Sequence, residues 1–243
     1  MPKITQKDFL DKFNTLVGAR SKREIWDDMI TFMATAVSNA VDFREEREEQ
    51  YLATARHYTP AQMQVFADLF SMLVIMMDGD EYRDILGEMY AALNLLDRSR
   101  QQVFTPSHVS EMMAKMVINE EIETSINERG YASINDPTCG AGVMLIAAAG
   151  VLRSRGINYQ QNVLFAGQDI DRTVALMCYI QISLLGCAGY VKIGNSLTDP
   201  MTGHVLFGEC TDQYWYTPMF FSQRWKMLRD IEHWRRALRS LST

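Results

Sequence analysis

Acidic and glycine residues follow a short strand-like segment near the middle of the chain. Residues Asp136 to Leu145 read Asp-Pro-Thr-Cys-Gly-Ala-Gly-Val-Met-Leu. The preceding run, Tyr131 to Asn135, is typical of a strand, and the alanine-rich run from Val143 to Leu152 predicts a helix. Gly140 and Gly142 therefore lie at a strand-to-helix turn, where residues without a Cβ let a ligand approach the backbone closely.

The charges at this turn limit the ligands that it can accept. The helix N-terminus beyond the glycines offers unpaired N–H groups to a carboxylate or a phosphate. Asp136, at the end of the strand, would repel a phosphate but can accept a hydrogen bond from an ammonium group. S-adenosylmethionine carries both an ammonium and a carboxylate, so it fits this pattern. The alternative is a tight turn that only packs a helix against a sheet.

Two later segments place polar residues at the ends of predicted strands. Residues Val163 to Asp171 read as a second strand ending in acids, and Asp169 is placed to bind ribose hydroxyls. Asp171 is instead predicted to cap the helix that follows. Residues Val191 to Leu197 read as a third strand that ends in a polar turn. Upstream, a helix is predicted from Ser107 to Asn119.

Taken together, these segments resemble the methylase subunits of type I restriction-modification systems and their relatives among adenine-N6 DNA methyltransferases. The matching motifs occur in the family's order: Phe104-Thr105-Pro106, Asp136-Pro137-Thr138-Cys139-Gly140-Ala141-Gly142, Gly167-Gln168-Asp169-Ile170 and Gly194-Asn195-Ser196-Leu197. A segment before them, Asp84 to Tyr90, also matches. The resemblance covers nearly half of the chain. It implies an α/β fold, in which a Rossmann-like S-adenosylmethionine-dependent methyltransferase domain, complete or truncated, follows an α-helical domain.

The resemblance also implies which residues bind the cofactor. Asp136, Gly140 and Gly142 would hold its amino-acid end, and Asp169 its ribose. Asn195 would lie near its adenine. The full set of implied cofactor-binding residues is Thr105, Asp136, Thr138, Gly140, Gly142, Asp169, Ile170, Asn195 and Ser196.

The catalytic motif of the family has only a partial counterpart. Adenine methyltransferases carry Asn/Asp-Pro-Pro-Phe/Tyr at the end of a fourth strand, where a carbonyl accepts from the target amino group and the ring stacks on the flipped base. The nearest match is Thr217-Pro218-Met219-Phe220. Thr217, Pro218 and Phe220 are therefore the candidate catalytic residues, although Thr217 has a hydroxyl where the family has a carbonyl.

Composition and charge limit the partners. The 243 residues include 47% hydrophobic residues, enough for a buried core, and the net charge is -6. That charge argues against a surface that binds nucleic acid by electrostatics alone, because phosphate contacts need clustered Lys and Arg, so DNA remains a possible partner with little support from charge. The basic amphipathic segment from Ser222 to Thr243 could bind nucleic acid or a partner, or pack on the sheet with its arginines in solvent. The four cysteines lack Cys-x-x-Cys spacing, so no metal site is expected.

The sequence also suggests where the protein resides and whether it needs a partner. No apolar run is expected to span a membrane and the first residues lack a signal-peptide pattern, so a cytoplasmic protein is expected. Few residues follow Phe220, so the sheet would be truncated, completed by the C-terminal helix, or completed by another chain. A protein partner or a homo-oligomer is therefore expected.

The polar stretch at 97–102 predicts a boundary between two domains. They are an N-terminal helical domain at 1–100 and an S-adenosylmethionine-binding domain at 101–243.

The sequence supports two functional hypotheses. The leading hypothesis is an S-adenosylmethionine-dependent DNA adenine-N6 methyltransferase of the type I methylase kind. The alternative is a catalytically inactive homologue that binds the cofactor and acts as an interaction or regulatory module toward a restriction-modification or DNA-modifying complex. The sequence does not distinguish DNA from RNA or protein as the methyl acceptor.

Overall fold

The N-terminal part of the molecule is helical. The computed structural model describes residues 4–18, 20–80, 82–96 and 105–240. The helices that precede the sheet are α1 (Gln6–Asn14), α2 (Lys22–Asn39), α3 (Glu45–Ala55), α4 (Pro60–Gly79), α5 (Ile85–Ala92), α6 (Ser107–Val117) and α7 (Glu120–Arg129). The predicted domain boundary at 97–102 lies outside the described residues, so the division at residue 100 stays a prediction.

Capping residues set the starts of these helices. The sequence pattern Ser21 followed by Glu24 predicts a capping box at α2, and the structure has it: the Ser21 hydroxyl accepts from the Glu24 N–H while the Glu24 carboxylate accepts from the Ser21 N–H at 2.8 Å. Thr59-Pro60 likewise predicts a helix start, and α4 begins at Pro60 with Thr59 as its N-cap. Such caps satisfy backbone N–H groups that have no partner within the helix.

The remaining elements alternate between strands and helices, as the sequence predicted. They are β1 (Ala132–Asp136), α8 (Val143–Ser154), α9 (Tyr159–Asn162), β2 (Val163–Asp169), α10 (Arg172–Leu184), β3 (Ala188–Ile193), β4 (Tyr214–Tyr216), a 3-10 turn (Pro218–Phe221) and α11 (Gln223–Ser240). The three predicted strands are confirmed, although the third begins at Ala188 rather than Val191. Asp171 caps α10, as predicted, by accepting from two backbone N–H groups.

One mixed sheet carries these strands in the order β1-β2-β3-β4. β1, β2 and β3 are parallel, whereas β4 runs antiparallel to β3, with Tyr216 opposite Tyr190 and Tyr214 opposite Lys192. All strands after β1 therefore extend to one side of it. In the part of the chain that the structure describes, no strand pairs with the other edge of β1.

Hydrophobic residues cover both faces of the sheet. On one face, a continuous core joins the N-terminal helices to α8 and α10. On the other face, Trp225 and Leu228 of α11 pack in an aromatic cluster with Tyr131, Tyr190 and Phe220. The prediction that the C-terminal helix packs on the sheet is therefore confirmed for its first two turns, while the side chains farther along α11 are mostly exposed.

Helix α4 is long and apolar. Its 20 residues have a length and composition that would suffice to cross a membrane, which corrects the expectation that no segment is long enough. However, Phe66, Leu69, Leu73 and Met77 of this helix are buried in the core of the molecule. These four residues are spaced three or four apart, so one side of α4 packs against the core.

Candidate cofactor site

The three parallel strands bring their polar carboxyl ends to one edge of the sheet. Asp136 ends β1 opposite Gly167 of β2, and Asp169 ends β2 opposite Ile193 of β3. The N–H of Gly194, just after β3, donates to the carbonyl of Asp169 at 2.9 Å. The segments that the sequence analysis selected separately therefore converge at this edge, where open α/β sheets bind their ligands.

The glycine turn is fastened to the neighbouring strand. The Gly140 N–H donates to Asp169 Oδ2 at 2.9 Å, and the Cys139 N–H donates to the carbonyl of Gln168 at 2.9 Å. Gly140 and Gly142 have φ angles of 51° and 98°, in the left-handed region that favours glycine. A Cβ on Gly142 would also lie 2.9 Å from Cys178 Sγ on α10. Cys178 of α10 therefore packs closely against the turn, and only glycine fits at residue 142.

Asp136 and Asp169 form a pair of half-buried carboxyl groups. Asp136 Oδ1 accepts from the Thr138 N–H at 3.1 Å, and Asp169 Oδ1 accepts from the Asp171 N–H at 2.9 Å. Burial raises the pKa of Asp136, and the nearby charge of Asp169 raises it further. Burial also raises the pKa of Asp169. The site therefore favours a ligand that brings positive charge or hydroxyl donors to these carboxylates, and disfavours an anion beside them.

A cavity of about 360 Å³ extends from Asp136 toward α6. Its lining joins Thr105, Thr138 and Asp136 with apolar residues of α6 and α8. Thr105 thus lies where the sequence predicted, beside the β1 end of the site, whereas Phe104 lies outside the described residues. The cavity offers an apolar wall next to a carboxylate, as a ligand with both charged and aliphatic parts requires.

The predicted adenine side of the site lies beyond β2 and β3. Ile170 follows Asp169 and has 65% of its surface exposed. Asn195 Oδ1 accepts from the N–H groups of Leu197 and Thr198, so this side chain shapes the turn, and Ser196 is half-buried beside it. Leu197, which the sequence analysis did not select, is 90% exposed. Ile170 and Leu197 therefore offer apolar surface for a flat ring.

Two buried polar residues hold the loop that follows β3. Gln168 Nε2 donates to the carbonyl of Asp199 at 2.8 Å, and Lys192 Nζ donates to Asp199 Oδ1 at 2.7 Å. Gln168 and Lys192 are each only 1% exposed. Neither residue is predicted as a support from the sequence, although a lysine within an apolar strand is a signal that identifies Lys192.

A buried amide links the glycine turn to the N-terminal helices. Gln181 of α10 donates from Nε2 to Asp84 Oδ1 at 2.8 Å and to the carbonyl of Ala141 at 2.9 Å. Its Oε1 accepts from the Leu86 N–H at 3.1 Å, while Asp84 also accepts from the Gly87 N–H. Through this network, the family segment from Asp84 to Tyr90 is hydrogen-bonded to the glycine turn. A lone glutamine in an otherwise apolar helix was the signal available in the sequence.

The structure places the candidate catalytic residues Thr217, Pro218 and Phe220 away from the cofactor edge of the sheet. The side chain of Thr217 is fully buried, and its hydroxyl oxygen accepts from the Gly189 N–H at 3.0 Å. Gly189 lies at the amino end of β3. Because β4 runs antiparallel to the other strands, its carboxyl end delivers Thr217 to the edge of the sheet opposite Asp136.

Phe220 has a structural role in this arrangement. It is 4% exposed and packs against Tyr190 and Tyr216, with ring centroids 6.1 and 4.7 Å away. The Arg229 guanidinium lies 4.1 Å from its ring centroid and donates to its carbonyl at 2.8 Å. The structure therefore does not bring Thr217, Pro218 or Phe220 together with the cofactor residues.

Two buried cysteines lie at the glycine turn. Within the described residues, no group of three or more His, Cys, Asp or Glu side chains could hold a metal ion. The four cysteines are free, and Cys139 and Cys178 are buried beneath the glycine turn.

One known protein family matches most of the chain. The family model for N-6 DNA methylase matches residues 80–239. No curated protein matches the chain.

Two solved structures are similar to the chain. One is the type I restriction-modification methyltransferase subunit from Streptococcus thermophilus, with 16% identity and a TM-score of 0.40 over 84% of this chain and 42% of that one. The other is a Listeria monocytogenes protein described as a class I S-adenosylmethionine-dependent methyltransferase, with 14% identity and a TM-score of 0.47 over 92% of this chain and 69% of that one. The chain thus spans less than half the length of the Streptococcus subunit. Since the family match covers well over half of the chain, this protein belongs to the N-6 DNA methylase family.

Proposed function

We propose that this protein binds S-adenosylmethionine at the carboxyl edge of β1, β2 and β3 and transfers its methyl group to adenine N6 in DNA. The observation that carries the proposal is the arrangement of Asp136 and Asp169 at adjacent strand ends, with the Gly140 N–H bonded to Asp169 between them. Membership of the N-6 DNA methylase family supplies the reaction class.

The residues of the site fit the parts of this cofactor. The Asp136 carboxylate accepts from the ammonium group, directly or through water, and the glycine turn leaves the backbone open beside it. Asp169 can also accept from the ribose hydroxyls, because its two carboxylate oxygens offer about four acceptor positions beside the bonds from the Gly140 and Asp171 N–H groups. Ile170 and Asn195 border the adenine, and the cavity beside Thr105 receives the methionine chain. Methylation of DNA in this way implies a cytoplasmic location.

The alternative is a cofactor-binding module without transferase activity. One observation favours it, namely that Thr217 and Phe220 are buried away from the cofactor site. In that case the protein would act through partners in a restriction-modification or other DNA-modifying complex. The two proposals share the cofactor site and differ only in whether adenine is methylated.

Mass-spectrometric detection of N6-methyladenine distinguishes the two proposals. Purified protein is incubated with S-adenosylmethionine and unmethylated DNA, and the digested nucleosides are quantified. We expect N6-methyladenine with the wild type and its loss with Asp136→Asn. We also expect Phe220→Leu, if folded, to retain transfer, because Phe220 packs far from the cofactor edge. If the wild type binds S-adenosylmethionine but forms no N6-methyladenine, the transferase proposal fails and the binding module remains.

A further inference from the structure

The turn that follows β3 is closed by its own hydrogen bonds. The Asp199 N–H donates to the carbonyl of Asn195 at 2.8 Å. The Asn195 side chain accepts from the N–H groups of Leu197 and Thr198, and Leu197 has 90% of its surface exposed. We call residues 195–199 the β3 turn. These local bonds set the shape of the turn, and contacts with the sheet must set its position.

A buried lysine of β3 reaches the end of this turn. Lys192 Nζ donates to Asp199 Oδ1 at 2.7 Å, to the carbonyl of Asp199 at 3.0 Å and to the carbonyl of Pro200 at 3.4 Å. An ammonium group has three N–H donors, so each of them has an acceptor here. The Lys192 side chain is 2% exposed, whereas that of Asp199 is 50% exposed. Asp199 therefore joins a lysine inside the molecule to a turn at its surface.

A buried glutamine of β2 holds the same aspartate. Gln168 Nε2 donates to the carbonyl of Asp199 at 2.8 Å, and Gln168 Oε1 accepts from the Met201 N–H at 3.3 Å. Gln168 directly precedes Asp169, the residue proposed to bind the ribose. A Cβ on Gly194 would lie 3.2 Å from Asp199 Oδ2 and 3.5 Å from Gln168 Nε2, so these groups lie close to the end of β3. Asp199 is thus bound from both β2 and β3.

The chemistry of Lys192 indicates a role in positioning. Burying an ammonium group is costly, and a buried ion pair is often no more stabilising than apolar residues of similar volume. Its hydrogen bonds have defined directions, however, and they require the loop to present three oxygens to one nitrogen. The ammonium group also lies over the Tyr214 ring of β4, 5.5 Å from its centroid. Lys192 therefore restricts where the β3 turn can lie relative to the sheet.

We propose that Lys192 is a positioning residue for the adenosyl end of the cofactor. Through Asp199, it holds the β3 turn at the edge of the sheet where Asn195 and Leu197 border the adenine. Lys192 acts through the turn and does not contact the cofactor, because it is buried and its donors are all used. The inference rests on the proposed function, since it concerns the S-adenosylmethionine site.

Replacement of Lys192 with methionine tests the proposal. Methionine lacks a donor, so the Asp199 carboxylate loses this partner while its carbonyl keeps the bond from Gln168. The turn then occupies its binding conformation for a smaller fraction of the time, and the apparent affinity for S-adenosylmethionine should fall by about 10-fold. Isothermal titration calorimetry of the folded variant measures this affinity. Lys226→Met, which removes an exposed lysine paired with Asp230 on α11, is the matched control and should bind as the wild type does.

A second ligand separates positioning of the turn from general damage to the fold. Methylthioadenosine has the adenosine of the cofactor but no amino-acid group, so its binding depends on the ribose and adenine sides of the site. Lys192→Met should weaken this ligand and S-adenosylmethionine by the same factor. Asp136→Asn should weaken S-adenosylmethionine alone, because Asp136 is proposed to bind the ammonium group. Wild-type affinity of folded Lys192→Met for both ligands would overturn the positioning role and leave the proposed function intact.

Asp199→Ala tests the same contact from its exposed end, and it serves if Lys192→Met does not fold. It should also weaken both ligands, and the double variant should bind no more weakly than the weaker single variant, because the two side chains act through one contact. In each variant, the amides of Asp199 and Met201 should exchange hydrogen faster than in the wild type, while those of β1 are unchanged. Unchanged exchange at these amides would contradict the proposal, whereas a wild type that binds neither ligand would overturn it together with the proposed function.

Discussion

Replacement of Asp136 with asparagine is expected to weaken S-adenosylmethionine binding by about 100-fold while stabilising the unliganded protein. The loss of affinity follows from the charge-assisted hydrogen bond to the ammonium group, since such bonds contribute about 1.5–3 kcal/mol. Asparagine can still accept the Thr138 N–H, so the local turn is preserved. Isothermal titration calorimetry measures the affinity, and thermal denaturation without ligand measures the stability.

The stabilisation has a definite pH dependence. Burial raises the pKa of Asp136 above its unfolded value, so between the two values the folded state binds more protons than the unfolded state. The wild type therefore loses stability as pH rises through the folded pKa, whereas Asp136→Asn lacks this loss. The difference in melting temperature should thus be small in acid and larger at neutral pH. Asp78→Asn, an exposed residue away from the site, is the control. Equal affinity of Asp136→Asn and wild type would remove Asp136 from the cofactor site.

Replacement of Gln181 with leucine is expected to lower the free energy of unfolding by roughly 3–5 kcal/mol. Leucine has a similar volume but leaves the Asp84 carboxylate, the Ala141 carbonyl and the Leu86 N–H each without this partner. The loss of this hydrogen bond destabilises the Asp84 carboxylate most. Burial already raises the pKa of Asp84, and Gln181 is one of the groups that stabilise its charged form. Chemical denaturation followed by circular dichroism measures the change.

The position of the amide also predicts an effect on ligand binding. Since Gln181 holds the carbonyl of Ala141, its loss should loosen the glycine turn and weaken S-adenosylmethionine binding under conditions where the variant is folded. Gln161→Leu replaces an exposed glutamine and should change neither property. A destabilisation of less than about 1 kcal/mol by Gln181→Leu would show that water or rearranged neighbours satisfy these groups.

The sequence was sufficient to predict the cofactor edge of the fold. Its signals there are local: an apolar strand, then glycines or an acid, then an apolar helix, repeated along the chain. Right-handed crossovers between parallel strands then bring the strand ends to the same edge, so Asp136 and Asp169 could be placed together without a structure. The capping residues Ser21, Thr59 and Asp171 were predictable for the same reason, because capping depends on residues within one helical turn.

The position of the candidate catalytic residues could not be predicted from the sequence. Thr217 and Phe220 were selected by their similarity to a short motif, but the direction of β4 decides which edge of the sheet they reach. That direction depends on long-range packing of Tyr214, Tyr216 and Phe220 against Tyr190, which no local pattern encodes. The role of Gln181 could not be predicted for a similar reason, because its hydrogen-bond partners lie 40 and 97 residues away in sequence.

The most direct test of the central claim is a calorimetric titration of the wild-type protein with S-adenosylmethionine. The arrangement of Asp136, the glycine turn and Asp169 predicts saturable binding with one cofactor per chain. Absence of binding by folded protein would contradict the assignment of this edge of the sheet as a cofactor site, and with it the proposed methyl transfer.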